Sequence, residues 1–310
     1  MVIMPVKLTA VTRPQGNNRA VVEGRAPVPG FALDFQQVPV LVHAFRRMVR
    51  ELAYDVCEMA FTTYLCAKAH GTPFTALPIF LVRGFHHGAI VHSPAGGAKT
   101  PADLAGRPVG VSRGYTVTTG VWARGILQDE YGLDLDRVTW RPSGDEHVAR
   151  YRPPRNVLPL PPGSDLPALV ASGDLAAAVG VEDGGQPLIA DPVGAGFAAL
   201  RERGLYPINH LVVVRDATLR ANPGLAAALF EAFAAAKREY VAGLSTPDNP
   251  TDRMYRRVLD ITGEDPLPYG VAPNRAMIDQ LVGHAVRQRI LDRRPAVAEM
   301  FDESTLHLTA

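Results

Sequence analysis

Three histidines, an arginine and a glutamate carry the chemistry this chain could perform. His86 and His87 are adjacent and lie three and four residues after Arg83, while His210 follows Asn209 far along the chain. Imidazole titrates near neutrality, so each of the three suits general acid or base work, with a hydrogen-bonded structural histidine as the alternative. The guanidinium fork of Arg83 matches a carboxylate, belonging either to a ligand or to a structural salt bridge. Glu58 follows an apolar run and is either a base or a brace for a histidine or for Arg83. Tyr115, Thr116, Thr118 and Thr119 lead into a strongly patterned helix. Backbone N–H groups and hydroxyls at that positive end attract anions, and N-capping by one threonine is the plainer use. Glu58, His86, His87 and His210 are also acceptable metal ligands. Adjacent histidines on a strand point to opposite faces, however, so no shared metal is expected. Glu182 and Asp183 follow the apolar run 179–181, on the edge where α/β sheets often bind ligands, although loop acids are usually just solvated.

The elements that must position these residues alternate between strand and helix. Residues 6–11 and 32–38 read as short strands, and 40–52 draws one apolar helix stripe through Leu41, Ala44, Phe45, Met48, Val49 and Leu52. A helix continues over 63–68 with Thr62 and Thr63 at its start, followed by a β-rich run over 74–82 and a short buried strand at 89–91. Residues 101–106 read as a short helix dropping into a strand at 108–111. Residues 118–131 read as a helix with Gly132 at its C-cap. Five prolines between 151 and 163 deny that stretch regular structure. Helix resumes at 166–172, Gly173 and Asp174 turn the chain, and 175–181 and 211–214 read as strands. Helices at 225–244, 254–259 and 275–288 complete the reading. Strands separated by helices imply parallel pairing in an α/β fold.

Length and composition limit the partners. At 310 residues the chain is long for one core and comfortable for two lobes. Its net charge of +1 has no basic stripe, so nucleic acid is not expected as a partner. No window is apolar enough to span a membrane, and the residues from Met1 to Ala10 do not form an export signal, so the expected location is the cytoplasm. Cys57 and Cys66, the only two cysteines, fit neither a redox motif nor a zinc knuckle and read as buried small hydrophobes. No glycine fingerprint for a nucleotide appears, and no cofactor is expected. Association of copies of the chain stays open.

Several segments together resemble the 4,5-dihydroxyphthalate decarboxylase family. They are Arg19-Ala20-Val21-Val22-Glu23-Gly24, Asp55-Val56-Cys57-Glu58-Met59, Pro78-Ile79-Phe80 and Arg83-Gly84-Phe85-His86-His87. Further along come the stretch from Asp103 to Val111, the helix from Trp122 to Gly132, Pro207-Ile208-Asn209-His210 and Pro268-Tyr269-Gly270-Val271. The Asp103–Val111 element recurs in many transporter-linked binding proteins and speaks only to fold; the Trp122 helix is the more telling segment. The resemblance implies a two-lobed α/β architecture of the type II periplasmic-binding-protein-like kind, with a ligand cleft between lobes. One lobe would hold residues 1–93 and 209–310, the other 94–208. Ala60 stands where the family tends to have Ser, His86 where it tends to have Arg, and Asn17-Asn18 where it tends to have Tyr-Asp. These departures bear on which aromatic acid is taken.

The resemblance further implies a small aromatic carboxylate substrate and a cofactor-free decarboxylation. Losing CO2 directly from an aromatic ring leaves an unstable aryl carbanion. Protonating the ring carbon first, with a para hydroxyl giving up its proton, avoids it. Such a site needs an acid, a base and carboxylate anchors. His87, His210, His86 and Glu58 are the catalytic candidates on this reading. Arg83, Thr62, Thr63, Tyr115, Thr116, Thr118, Thr119, Asn209 and Arg19 are the substrate-binding ones. A solute-binding protein for a small organic anion, or another ring-processing lyase such as a relative of the futalosine-pathway enzymes, would use the same parts.

Overall fold

The computed structural model of the chain describes residues 4–181 and 183–310; Met1–Ile3 and Glu182, both touched by the sequence reading, lie outside the described residues. The chain forms two compact units. One comprises residues up to Arg83, Ile208–Ile278 and Pro295–Ala310, and the other Gly84–Pro207 with Asp279–Arg294.

In chain order the first unit begins with β1 (Val6–Val11), α1 (Arg19–Val22), β2 (Phe31–Phe35), α2 (Leu41–Glu51), β3 (Val56–Ala60), α3 (Phe61–Ala69) and β4 (Phe74–Arg83). The second unit supplies β5 (Ile90–His92), β6 (Pro108–Val111), α4 (Thr118–Tyr131), β7 (Thr139–Pro142), α5 (Leu166–Ser172), β8 (Ala177–Val179), β9 (Gln186–Pro187) and α6 (Pro192–Arg203). Then follow β10 (Ile208–Arg215), α7 (Asp216–Ala221), α8 (Leu225–Ala242), α9 (Pro250–Thr262), α10 (Arg275–Arg287) and α11 (Val297–Met300).

Each unit is built on a five-stranded sheet, ordered β2-β1-β3-β10-β4 in the first and β7-β6-β8-β5-β9 in the second. The expected parallel pairing holds for β1 with β2 and β3, and for β6 with β7 and β8. β10 is antiparallel to β3 and β4, and β5 is antiparallel to β8 and β9. Each of these two strands is the first to form after the chain changes unit. β3 and β4 are buried along nearly their whole length, the burial pattern of strands covered on both faces. α2 buries Ala44, Phe45, Met48 and Val49, four positions of the apolar stripe read from the sequence. Phe61, Phe80 and Phe301 pack together in the core of the first unit at 6.1 Å centroid separations, Phe301 edge-on to the other two rings.

The first lobe boundary falls earlier than the expected residue 93, because Ile90–His92 hydrogen-bonds to β8 and β9 and so belongs to the second sheet. Residues 279–294 also join the second unit, so the stretch from 209 to 310 is not one uninterrupted return. Glu58 lies inside β3 rather than after a strand. His86 and His87 are not on a strand at all: β4 stops at Arg83, and His87 opens a 3-10 turn. Residues 101–104 form a 3-10 turn, capped by Thr100 and Asp103, in place of the expected helix.

Candidate active site

β1, β3 and β4 run in one direction and β10 runs against them, so their C-terminal ends and the start of β10 share one sheet edge. That edge collects Thr12 and Arg13, Ala60 to Thr63, Arg83, and Ile208 to His210. In the antiparallel register His210 faces Ala60 and Val212 faces Glu58. His210 and Glu58 are therefore diagonal neighbours on one sheet face, within reach of two long side chains. β10 slips register against β4 between Ile208 and Val212, the kind of irregularity that re-aims side chains.

Glu58 is buried and fully engaged. Its Oε2 accepts from the Thr12 hydroxyl at 2.6 Å and the Arg13 amide at 3.0 Å, and its Oε1 lies 2.7 Å from Nδ1 of His210. Burial pushes the Glu58 pKa up, but the His210, Thr12 and Arg13 donors outweigh it and hold the carboxyl below its ordinary range. An ionised carboxylate only accepts, so the proton between the pair sits on Nδ1. In the neutral ring the lone pair is then on Nε2, which makes no hydrogen bond among the described residues. The ring is 21% exposed and stands edge-on to Phe45 at 5.2 Å. Asn18 holds the support in place, donating to the Thr12 hydroxyl at 2.9 Å and to the Arg13 carbonyl at 3.1 Å.

Arg83 closes β4, buried, with Nη1 donating to Asn274 Oδ1 at 2.7 Å. Asn274 in turn donates to the carbonyls of Pro268 and Gly270, both at 2.8 Å. Thr62 and Thr63 are buried in the first turn of α3, whose N-cap is Ala60 without a side-chain acceptor. Arg19 is exposed at the start of α1 and shares a cavity of about 210 Å³ with Arg13, Gln15, Tyr240 and Asp252.

In the second unit the loop before α4 is already supplied with an anion. Glu146 accepts from the amides of Tyr115 and Thr116 and, at 2.6 Å, from the Thr116 hydroxyl. These are donors the sequence reading assigned to substrate. No threonine caps α4, whose N-cap is Val117 without a side-chain bond. Thr118 and Thr119 form its first turn.

His87 is fully buried, with Nε2 3.0 Å from Oε2 of Glu130, whose Oε1 also meets Arg203 at 2.6 Å. Burial pushes the Glu130 pKa up, and His87 and Arg203 bring it net below its ordinary value. Glu130 lies twelve residues along α4 from Thr118, roughly 18 Å at the helical rise. His87 thus touches the opposite end of α4 from the threonines. His86 is buried beside it in sequence. Among the described residues, no group of three or more His, Cys, Asp or Glu could hold a metal ion.

No protein-family model matches the chain. A 4,5-dihydroxyphthalate decarboxylase of Comamonas testosteroni is 30% identical over 285 residues, covering 84% of this chain and 86% of the relative. The chain belongs to the 4,5-dihydroxyphthalate decarboxylase family. A second relative of that name, from Pseudomonas putida, is 34% identical over 173 residues, which cover 52% of this chain and 65% of that protein. Solved structures agree on the fold. A Candida albicans gene product described as having the generic periplasmic binding protein fold matches with a TM-score of 0.56 at 12% identity over 98% of each chain. The alkanesulfonate-binding protein SsuA of Xanthomonas axonopodis pv. citri, bound to MOPS, matches with a TM-score of 0.54 at 14% identity, covering 96% of this chain and 98% of that one. This family member therefore has the periplasmic-binding-protein-like α/β fold that the resemblance implied.

In this decarboxylase-family chain, the structure gathers Glu58, His210, Asn209, Thr62, Thr63 and Arg83 on one sheet edge of the first unit. His86, His87, Tyr115, Thr116, Thr118 and Thr119 belong to the second unit. Thr12 and Asn18, which complete the Glu58 cradle, were not singled out from sequence; the available signal was Thr12's place directly after an apolar strand. Glu130 lies within the Trp122–Gly132 segment, but its pairing with His87 has no signature in the sequence.

Proposed function

We propose that the protein is a non-oxidative decarboxylase of a hydroxylated aromatic acid, converting 4,5-dihydroxyphthalate to 3,4-dihydroxybenzoate and CO2. Kinship with proteins of that name supports the reaction class. The observation that carries the reading to particular residues is the Glu58–His210 pair, a buried carboxylate holding an imidazole by Nδ1 and leaving Nε2 to accept a proton.

On this reading Nε2 of His210 takes the phenolic proton para to the departing carboxylate, and the ring becomes a dienone as its electrons shift toward the carboxylate-bearing carbon. The resulting imidazolium, stabilised by Glu58, delivers that proton to the same ring carbon. The C–CO2 bond then breaks, its electron pair restores the aromatic ring, and the phenolate oxygen takes a proton from solvent. One proton is consumed and one CO2 released. Glu58 acts as a positioning residue rather than as the base, since both its oxygens are already engaged. Arg83, Thr62 and Thr63, on the same sheet edge, hold substrate carboxylates. His87 is structural.

The free thiols Cys57 and Cys66 suit the reducing cytoplasm in which we place this enzyme. CO2 release from a panel of hydroxylated phthalates and benzoates tests the activity. Release from 4,5-dihydroxyphthalate is expected. Tight binding across the panel without turnover would instead mark a solute-binding protein.

A further inference from the structure

The segment from Thr12 to Arg19 does two things in the first unit. The Thr12 hydroxyl and the Arg13 amide hold Glu58. The side chains of Arg13, Gln15 and Arg19 line the cavity of about 210 Å³ that Tyr240 of α8 and Asp252 of α9 also border. Glu58, His210, Thr62, Thr63 and Arg83 do not line it. The segment is held rigidly from within. Asn18, fully buried, accepts from the Gln15 amide at 2.8 Å while its own amide ties down Thr12 and Arg13. Asn17 donates to the Leu81 carbonyl at 2.9 Å, and Gly16 packs against the Tyr240 ring with no room for a side chain. The cavity wall is thus formed before any ligand arrives.

Charge in this cavity is unbalanced. Arg13 and Arg19 are exposed, and neither guanidinium makes a hydrogen bond or ion pair among the described residues. The Tyr255 phenol feels the charge of Arg13, and the Tyr240 phenol that of Arg19, so both charges bear on the cavity walls. Asp252 is the one acid lining it, and both of its oxygens are engaged, Oδ1 by the Tyr240 hydroxyl and Oδ2 by the Asn249 amide at 2.9 Å. Arg25, in a neighbouring cavity of about 520 Å³, is by contrast paired with Glu23 and Glu239. Gln15 adds a buried Nε2 with no hydrogen-bond partner. No aliphatic hydrocarbon side chain lines the 210 Å³ cavity. Two free guanidinium forks in a polar recess match an oxyanion and offer little to an apolar ring.

We propose that this cavity is a second binding site, for a small inorganic oxyanion of the phosphate or sulfate type, held by Arg13 and Arg19 apart from the Glu58–His210 pair. The resemblance put Arg19 on the aromatic acid; here it serves a different anion.

Inorganic phosphate is the probe, titrated by calorimetry into the intact protein in a buffer free of other oxyanions. One saturable site is expected. Arg13→Gln and Arg19→Gln should each weaken it about tenfold, the lower end for charge-assisted bonds because both residues are exposed. Melting curves check that each variant is folded. His210→Gln should leave phosphate affinity unchanged, and so should saturating phthalate, a ring acid for the reacting edge. Absence of saturable phosphate binding, parent-like affinity in both folded arginine variants, or displacement of phosphate by phthalate would each overturn the site. Failure of phthalate itself to bind would count against the aromatic-acid reading alone, since the phosphate titrations of parent and arginine variants need no ring.

Discussion

Oε1 of Glu58 and Nδ1 of His210 lie 2.7 Å apart although 152 residues of chain separate them. The pair owes its geometry to the antiparallel meeting of β3 and β10, which sets both side chains on one face. Thr12, Arg13 and Asn18 then fix the carboxylate from the adjacent strand end. The imidazole has one orientation and one tautomer before any ligand arrives.

His210→Gln should keep much of the shape of the side chain while removing the proton carrier. Turnover is expected to fall by on the order of 10²- to 10⁴-fold, with substrate affinity changing far less. Steady-state rates alongside calorimetric binding make the comparison. A variant that binds and turns over like the parent would remove His210 from the chemistry.

Glu58 links stability to pH. Its folded-state pKa is depressed below the ordinary value of 4.5, so the stability it contributes is fully present above that value and is lost as pH falls through the lower folded value. Glu58→Gln, which leaves buried donors facing an amide, should cost about 1–3 kcal/mol at pH 7. Urea unfolding should show the gap between parent and variant shrinking as the pH drops below about 4.5. A gap independent of pH would contradict the ionised carboxylate.

His87→Gln should disturb folding before chemistry. The ring is buried and bonded to Glu130, which also meets Arg203. A loss of about 1–3 kcal/mol in unfolding free energy is expected, with turnover per bound substrate largely retained. A folded variant with parent-like stability and a rate depressed a hundredfold would return His87 to catalysis.

Arg83→Ala should weaken binding of the aromatic dianion by about 2–4 kcal/mol if the guanidinium meets a carboxylate of the ligand. Asn274→Ala serves as the control, since it removes the bond from Nη1 to Oδ1 but leaves the charge. Equal affinity losses in the two variants would mean that Arg83 only anchors the loop after Pro268.

Much of the architecture could be read from local pattern. The helix expected at 118–131 with Gly132 as its cap is α4, ending on Gly132 at φ 68°, because helical spacing and a left-handed cap are properties of neighbouring residues. The β-branched run 211–214 lies within β10, and the apolar stripe over 40–52 is the buried face of α2. Weaker local signals misled. A buried glutamate breaks an apolar run, so local pattern places Glu58 after a strand, and only its three donors make its place inside β3 tolerable.

The sequence by itself determined the family, the α/β alternation, and the residue types available for acid–base work and carboxylate binding. Tertiary structure alone decided which of them meet. Two chemically similar histidines separate into His210, held by Glu58 with a nitrogen open, and His87, sunk against Glu130. The loop amides of Tyr115 and Thr116, suited to an external anion, are taken by Glu146 some thirty residues on. Each outcome depends on strand register and on contacts between distant segments, and residue spacing along the chain does not encode these. Composition and periodicity report the local preferences of the backbone, whereas the proton on one imidazole nitrogen depends on a carboxylate delivered from another strand.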